Sequence, residues 1–145
     1  MKRKFSRWYL AVPIVLLALC LPLLVSCTSS QSSSQSEFYN AGNADLSVTG
    51  AQFDQYWLFR FDTSDSVLTM ALPSAADIVD NLQSPTAGEV ISFAVAADGN
   101  NTVTLIGGTN VTVKPSVSTV AGNTTTTMYC EIDSVTSGSE AVTIY

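Results

Sequence analysis

The stretch TVTLIGGTNVTV, Thr102 to Val113, sets the pattern for the whole chain. Val103 and Leu105, then Val111 and Val113, alternate with threonines. A period of two is the mark of a strand that buries one face, and β-branched residues suit that pleated, half-buried surface. Gly107-Gly108 separates the two runs and carries a turn signal. The segment therefore reads as a hairpin, valines and leucine inward and threonines outward.

The same alternation recurs on both sides. Glu89 to Ala97 places Ile91, Phe93 and Val95 on one face, and Thr124 to Asp133 does the same with Met128, Cys130 and Ile132. Ser66 to Leu72 groups Leu68, Met70 and Leu72, while Ser116 to Val120 is a short strand. The final strand, Glu140 to Tyr145, sets Val142 and Ile144 against Ala141, Thr143 and Tyr145. Phe53 to Asp62 (FDQYWLFRFD) reads as an aromatic strand with Phe53, Trp57, Phe59 and Phe61 on one side. Asp62 to Asp65, Asp98 to Asn101 and Ala121 to Asn123 carry turn residues. One segment breaks the pattern. After Pro73, Ser74 is a good N-cap and Asp77 sits at N3; Ala75, Ile78, Val79 and Leu82 then share one helical face. The expected fold class is all-β: a small β-sandwich or jelly-roll-like domain with one short helix at about 74–82.

The N-terminus has a different character. Lys2, Arg3, Lys4 and Arg7 precede an uncharged apolar run from Leu10 to Val25, interrupted by Pro13 and Pro22. This is the layout of a signal peptide rather than of a membrane span, with an uncleaved anchor and simple secretion as the competing readings. The run ends in Leu24-Val25-Ser26-Cys27, which resembles the lipobox of bacterial lipoproteins. The resemblance implies that Cys27 becomes the first mature residue and carries the lipid, palmitate among its acyl chains. Thr28 rather than Asp at the next position favours the outer membrane, by analogy with sorting in enteric bacteria. Thr28 to Glu37 (TSSQSSSQSE) has no apolar residue to bury and reads as a disordered tether. The expected organisation is a signal peptide over 1–26, a lipidated cysteine and tether over 27–44, and a head domain over 45–145. About 120 residues after the leader suffice for one core.

Charge and composition exclude several classes. Four of the six basic residues lie in the leader and all twelve acids follow Cys27, so the mature chain, with Arg60 and Lys114 alone, is near −10. Such a domain repels nucleic acid and anionic headgroups, so membrane attachment falls to the lipid. There is no histidine, which removes the commonest general base and metal ligand. Once Cys20 leaves with the leader and Cys27 is lipidated, Cys130 is the remaining thiol, and no intrachain disulfide forms. Cys130 alternates with Met128 and Ile132 and reads as a buried, inert thiol.

LPSAADIV (Leu72 to Val79), GEVISFAV (Gly88 to Val95), TVTLIGGTNVTV and VTSGSEAVTIY (Val135 to Tyr145) together resemble a C-terminal head domain of fibre and structural proteins of tailed phages and large DNA viruses. The resemblance covers just over half the chain. It implies a β-sandwich head that assembles as a trimer and serves attachment or decoration, without catalysis. The lipobox departs from that family, since a virion fibre needs no signal peptide; a membrane-anchored surface protein using the same head reconciles the two.

Other candidates are weaker. Asp62, Asp65, Asp77 and Asp80 lie close in sequence, but their spacing fits no calcium loop, and they read as turn and cap residues; no metal or other cofactor is expected. Asn100, Asn110 and Asn123 begin N-x-T sequons that read as accidents of an Asn/Thr-rich surface. Tyr56, Trp57 and Phe59 are the candidate ligand or interface residues, because aromatic faces stack on sugar rings and pack at subunit contacts. The functional expectation is a lipid-anchored envelope protein with a non-enzymatic, trimeric interaction head that binds a protein or glycan. The alternatives are a carbohydrate-binding module using residues 53–61, for which Trp57 should be exposed in a groove, whereas a fibre-like head should bury it or set it in a subunit interface, and a virion or prophage-encoded attachment protein.

Overall fold

A computed structural model describes residues 38–145. The leader, Cys27 and the Ser/Gln stretch through Glu37 lie outside the described residues.

The described chain is mostly strand, arranged in two sheets. The larger has the order β1-β3-β5-β9-β10-β7 and the smaller β2-β4-β6-β8. In the larger sheet β1 is Tyr39–Gly42, β3 Leu58–Phe61, β5 Val90–Ala97, β7 Val111–Val113, β9 Thr124–Ser134 and β10 Ala141–Ile144. In the smaller, β2 is Leu46–Ser47, β4 Leu68–Ala71, β6 Val103–Ile106 and β8 Thr119–Val120. Two short helices, α1 (Gly50–Gln55) and α2 (Ala75–Asn81), and a 3₁₀ turn at Pro115–Val117 complete it. Phe59, Phe61, Phe93, Val95, Met128, Cys130, Ile132, Val142 and Ile144 of one sheet share a single core with Leu68, Met70, Val103, Leu105 and Val120 of the other. The expected all-β, two-sheet class is the one observed.

From β1 to β9 the chain changes sheet at every strand. Successive visits to one sheet then run the same way, so β1, β3 and β5 pair in parallel, as do β2, β4 and β6. The other sheet supplies the crossover that parallel neighbours require. Antiparallel pairing enters with β9, which lies between β5 and β10, and with β8 on β6.

This connectivity corrects the hairpin reading of Thr102 to Lys114. Val103–Ile106 pairs with β4 and β8, whereas Val111–Val113 pairs in parallel with β10 in the opposite sheet. Gly107-Gly108 is the corner between sheets. Neither glycine has positive φ; a Cβ on Gly108 would overlap the Pro73 carbonyl, and one on Gly107 the Val111 carbonyl. Close backbone approach, not turn type, demands the pair.

Three further expectations change. Phe53 to Gln55 belongs to α1 and not to a strand, and the strand proper starts at Leu58. Thr49 and Gln52 form a reciprocal capping box there, and Phe53 still reaches the core, 5.0 Å edge-on to Phe93. The head does not begin at Asp45, because Tyr39–Gly42, assigned to the tether, pairs with β3. Of Ser116 to Val120, Ser116 and Val117 end a 3₁₀ turn and only Thr119–Val120 is extended. The helix at 74–82 forms as expected. The Ser74 hydroxyl oxygen accepts from the Asp77 amide at 3.1 Å, and Ala75, Ile78 and Val79 are buried.

Candidate functional surfaces

The three aromatics singled out in sequence are not brought together as a platform. Phe59 is on the inner face of β3 and wholly buried. Tyr56 is half-buried, its ring 5.3 Å and nearly edge-on to Tyr39. Trp57 alone is open, at 45% exposure. A strand would have set Trp57 and Phe59 side by side; α1 ends at Gln55, and Trp57 sits in the bend that leads into β3.

Trp57 has company from an unexpected quarter. In the β1–β3 register Tyr39 lies opposite Phe59, so Phe38 falls beside Leu58, at the same strand ends as Trp57. Phe38 is 44% exposed, and the Arg60 guanidinium lies 5.7 Å from its ring centroid. Arg60 also bridges to Asp98 at 2.7 Å. Phe38 and Trp57 thus lie exposed where β1 and β3 begin, while the half-buried Tyr39–Tyr56 pair packs against the core beneath them.

A second surface is the outer face of the larger sheet. Strand alternation sends Met128, Cys130 and Ile132 of β9 inward and Thr125, Thr127, Tyr129 and Glu131 outward. Tyr129 and Tyr145 exchange both backbone hydrogen bonds, at 2.8 and 2.9 Å, which holds their side chains on one face. The rings stack at 6.0 Å and 29°, and remain 47% and 39% exposed. Across β5 the register sets Val90 opposite Glu131, Ser92 opposite Tyr129, Ala94 opposite Thr127 and Ala96 opposite Thr125. Glu131 and Asp133 lie on the same face of β9, Glu131 two residues from Tyr129 and Asp133 accepting from the Thr143 hydroxyl at 2.8 Å. Tyr129 and Tyr145 were legible only as outward positions of alternating strands; nothing in sequence paired them.

Three of the four acidic candidates are held by hydrogen bonds to neighbouring loops and caps. Asp62 accepts from the Ser64 hydroxyl at 2.7 Å and its amide at 3.1 Å, and these bonds hold its carboxyl below the usual range. Asp65 accepts from the Asn43 side chain at 3.0 Å, and Asp77 serves the α2 cap. A shallow recess of about 690 Å³ lies at the starts of β7 and β10, lined by Asn110, Thr112, Ser139 and Glu140 among others. Glu140 is buried there and accepts from the Gly138 amide at 3.1 Å. Among the described residues no three acidic, cysteine or histidine side chains converge to hold a metal. Cys130 lies in the core, paired across to Ile91 and Ile144. Burial first, and the nearby Asp133 second, push its thiol up to about 12. It is a packing residue, not a nucleophile.

Comparison with protein-family models, with curated proteins and with solved structures found no match for this chain.

Proposed function

We propose that this chain is a lipid-anchored envelope protein whose head is a non-catalytic interaction domain that associates with copies of itself. The anchoring half rests on Leu24-Val25-Ser26-Cys27 after a cationic, apolar leader. The interaction half is carried by one observation: a stacked, exposed tyrosine pair on the outer face of the larger sheet. Exposed aromatic rings framed by polar residues are the composition of contact surfaces. A copy number of three is what the fibre-head resemblance implies.

Anchoring is tested by intact mass of the protein purified from membranes. The expected mass begins at Cys27 and includes acyl chains, and Cys27→Ser should leave an unlipidated precursor. A wild-type mass without acyl addition would refute the anchor.

A further inference from the structure

We infer that the exposed Phe38 and Trp57, at the starts of β1 and β3, dock on the interface of the bilayer to which the chain is tethered, and so fix the orientation of the head. The inference rests on the lipid-anchor reading. Only residues 28–37 separate Cys27 from Phe38, and even a fully extended chain holds Phe38 within about 40 Å of the anchored cysteine. Phe38 is therefore the described residue nearest to the anchor along the chain.

The pair has the right chemistry for this neighbour. Trp57 and Phe38 are large, apolar and close to half exposed, at the same ends of paired strands. Trp presents an apolar body and a polar tip, which suits the boundary between acyl chains and headgroups. Arg60, one of two basic residues in the described chain, stands over Phe38. The fit is to zwitterionic rather than anionic lipid. Arg60 is already paired with Asp98, Asp54 lies on the preceding helix, and the domain as a whole is acidic. With this pair down, the Tyr129–Tyr145 face on β9 and β10 lies two and three strands away from β3 and stays free for its own partner.

Tryptophan fluorescence tests this directly. The chain has two tryptophans, Trp8 in the leader and Trp57, so a Trp8→Phe background leaves Trp57 as sole reporter. The protein is reconstituted in phosphatidylcholine vesicles containing lipid brominated along the acyl chains. Bromine quenches only an indole that enters the bilayer, not one merely tethered nearby. The expected result is a blue-shifted emission and strong quenching, reduced about threefold by Phe38→Ser, unchanged by Tyr129→Ser and weakened by adding phosphatidylglycerol. Intact mass on the same sample reports acylation separately. If no acyl chain is present, the anchor reading fails alone, and the measurement is made with Cys27 coupled to maleimide lipid in a Cys20→Ser background. Trp57 emission and acrylamide access unchanged by vesicles would overturn the docking. So would quenching lost in Tyr129→Ser and retained in Phe38→Ser.

Discussion

At the scale of single residues, the core is defined by what it excludes. Cys130 shows this most simply. Its place among Met128, Ile132 and Ile144 leaves the thiolate without solvation, and the thiol is held neutral up to about pH 12. Folded protein should resist thiol-reactive dyes until denatured, and fast labelling of native protein would show Cys130 to be exposed. The raised value also has a sign for stability. The unfolded thiol ionises near its ordinary value of 9.0 while the folded one does not, so above that pH the unfolded state binds fewer protons. The contribution is complete below pH 9 and is lost as pH rises towards 12. Urea midpoints of wild type should therefore fall more steeply over that window than those of Cys130→Ala. Thr63 is the opposite case: it is fully buried, yet its hydroxyl has no partner among the described residues. Its backbone carbonyl is well satisfied, accepting from the Asn101 amide and side chain. Thr63→Val keeps the shape and removes the orphaned hydroxyl, and should stabilise the domain by about 1 kcal/mol. A lower urea midpoint would mean that a bound water serves that oxygen.

At the scale of elements, legibility followed how local each determinant is. The α2 signal is complete within nine residues, Ser74 to Leu82, because a cap, an acidic N3 and a 3.6-residue apolar face are all local. Strand faces were equally plain: Val142 and Ile144 are buried and Tyr145 is exposed, as alternation requires. The α1 signal was present too, as Thr49-Gly50-Ala51-Gln52, a capping box. It was masked by the aromatic alternation that follows, in which Phe53 reaches the core from a helix rather than from a strand. The partners of each strand were not legible. Pairing β4 with β6 and β7 with β10 is decided by burial across the whole core, and a Gly-Gly corner between sheets looks in sequence like a hairpin turn. The two uses of glycine separate experimentally. A turn needing positive φ would tolerate Asn, whereas Gly108 has no room for any Cβ against Pro73 and Leu72. Gly108→Ala should cost more than about 2 kcal/mol by chemical denaturation, and Gly108→Asn at least as much. A near-neutral Gly108→Asn would return the segment to a hairpin.

For the whole molecule, the candidate surface was the least legible part. Tyr56, Trp57 and Phe59 lie within four residues of sequence but divide between surface and core, while Tyr129 and Tyr145 meet only because β9 and β10 pair. The fold leaves one sheet face with two stacked tyrosines, threonines and small residues beside Glu131 and Asp133. A small domain without a disulfide gains most from covering such a face, and a partner that binds only the folded state raises its stability with concentration. The most direct measurement is native mass of the chain from Glu37 onward, taken across a micromolar dilution series alongside its thermal midpoint. Three copies and a midpoint that rises with concentration are expected, with the doubly substituted Tyr129→Ser, Tyr145→Ser chain folded but monomeric. A monodisperse wild-type monomer at high micromolar concentration, with a midpoint independent of concentration, would contradict self-association.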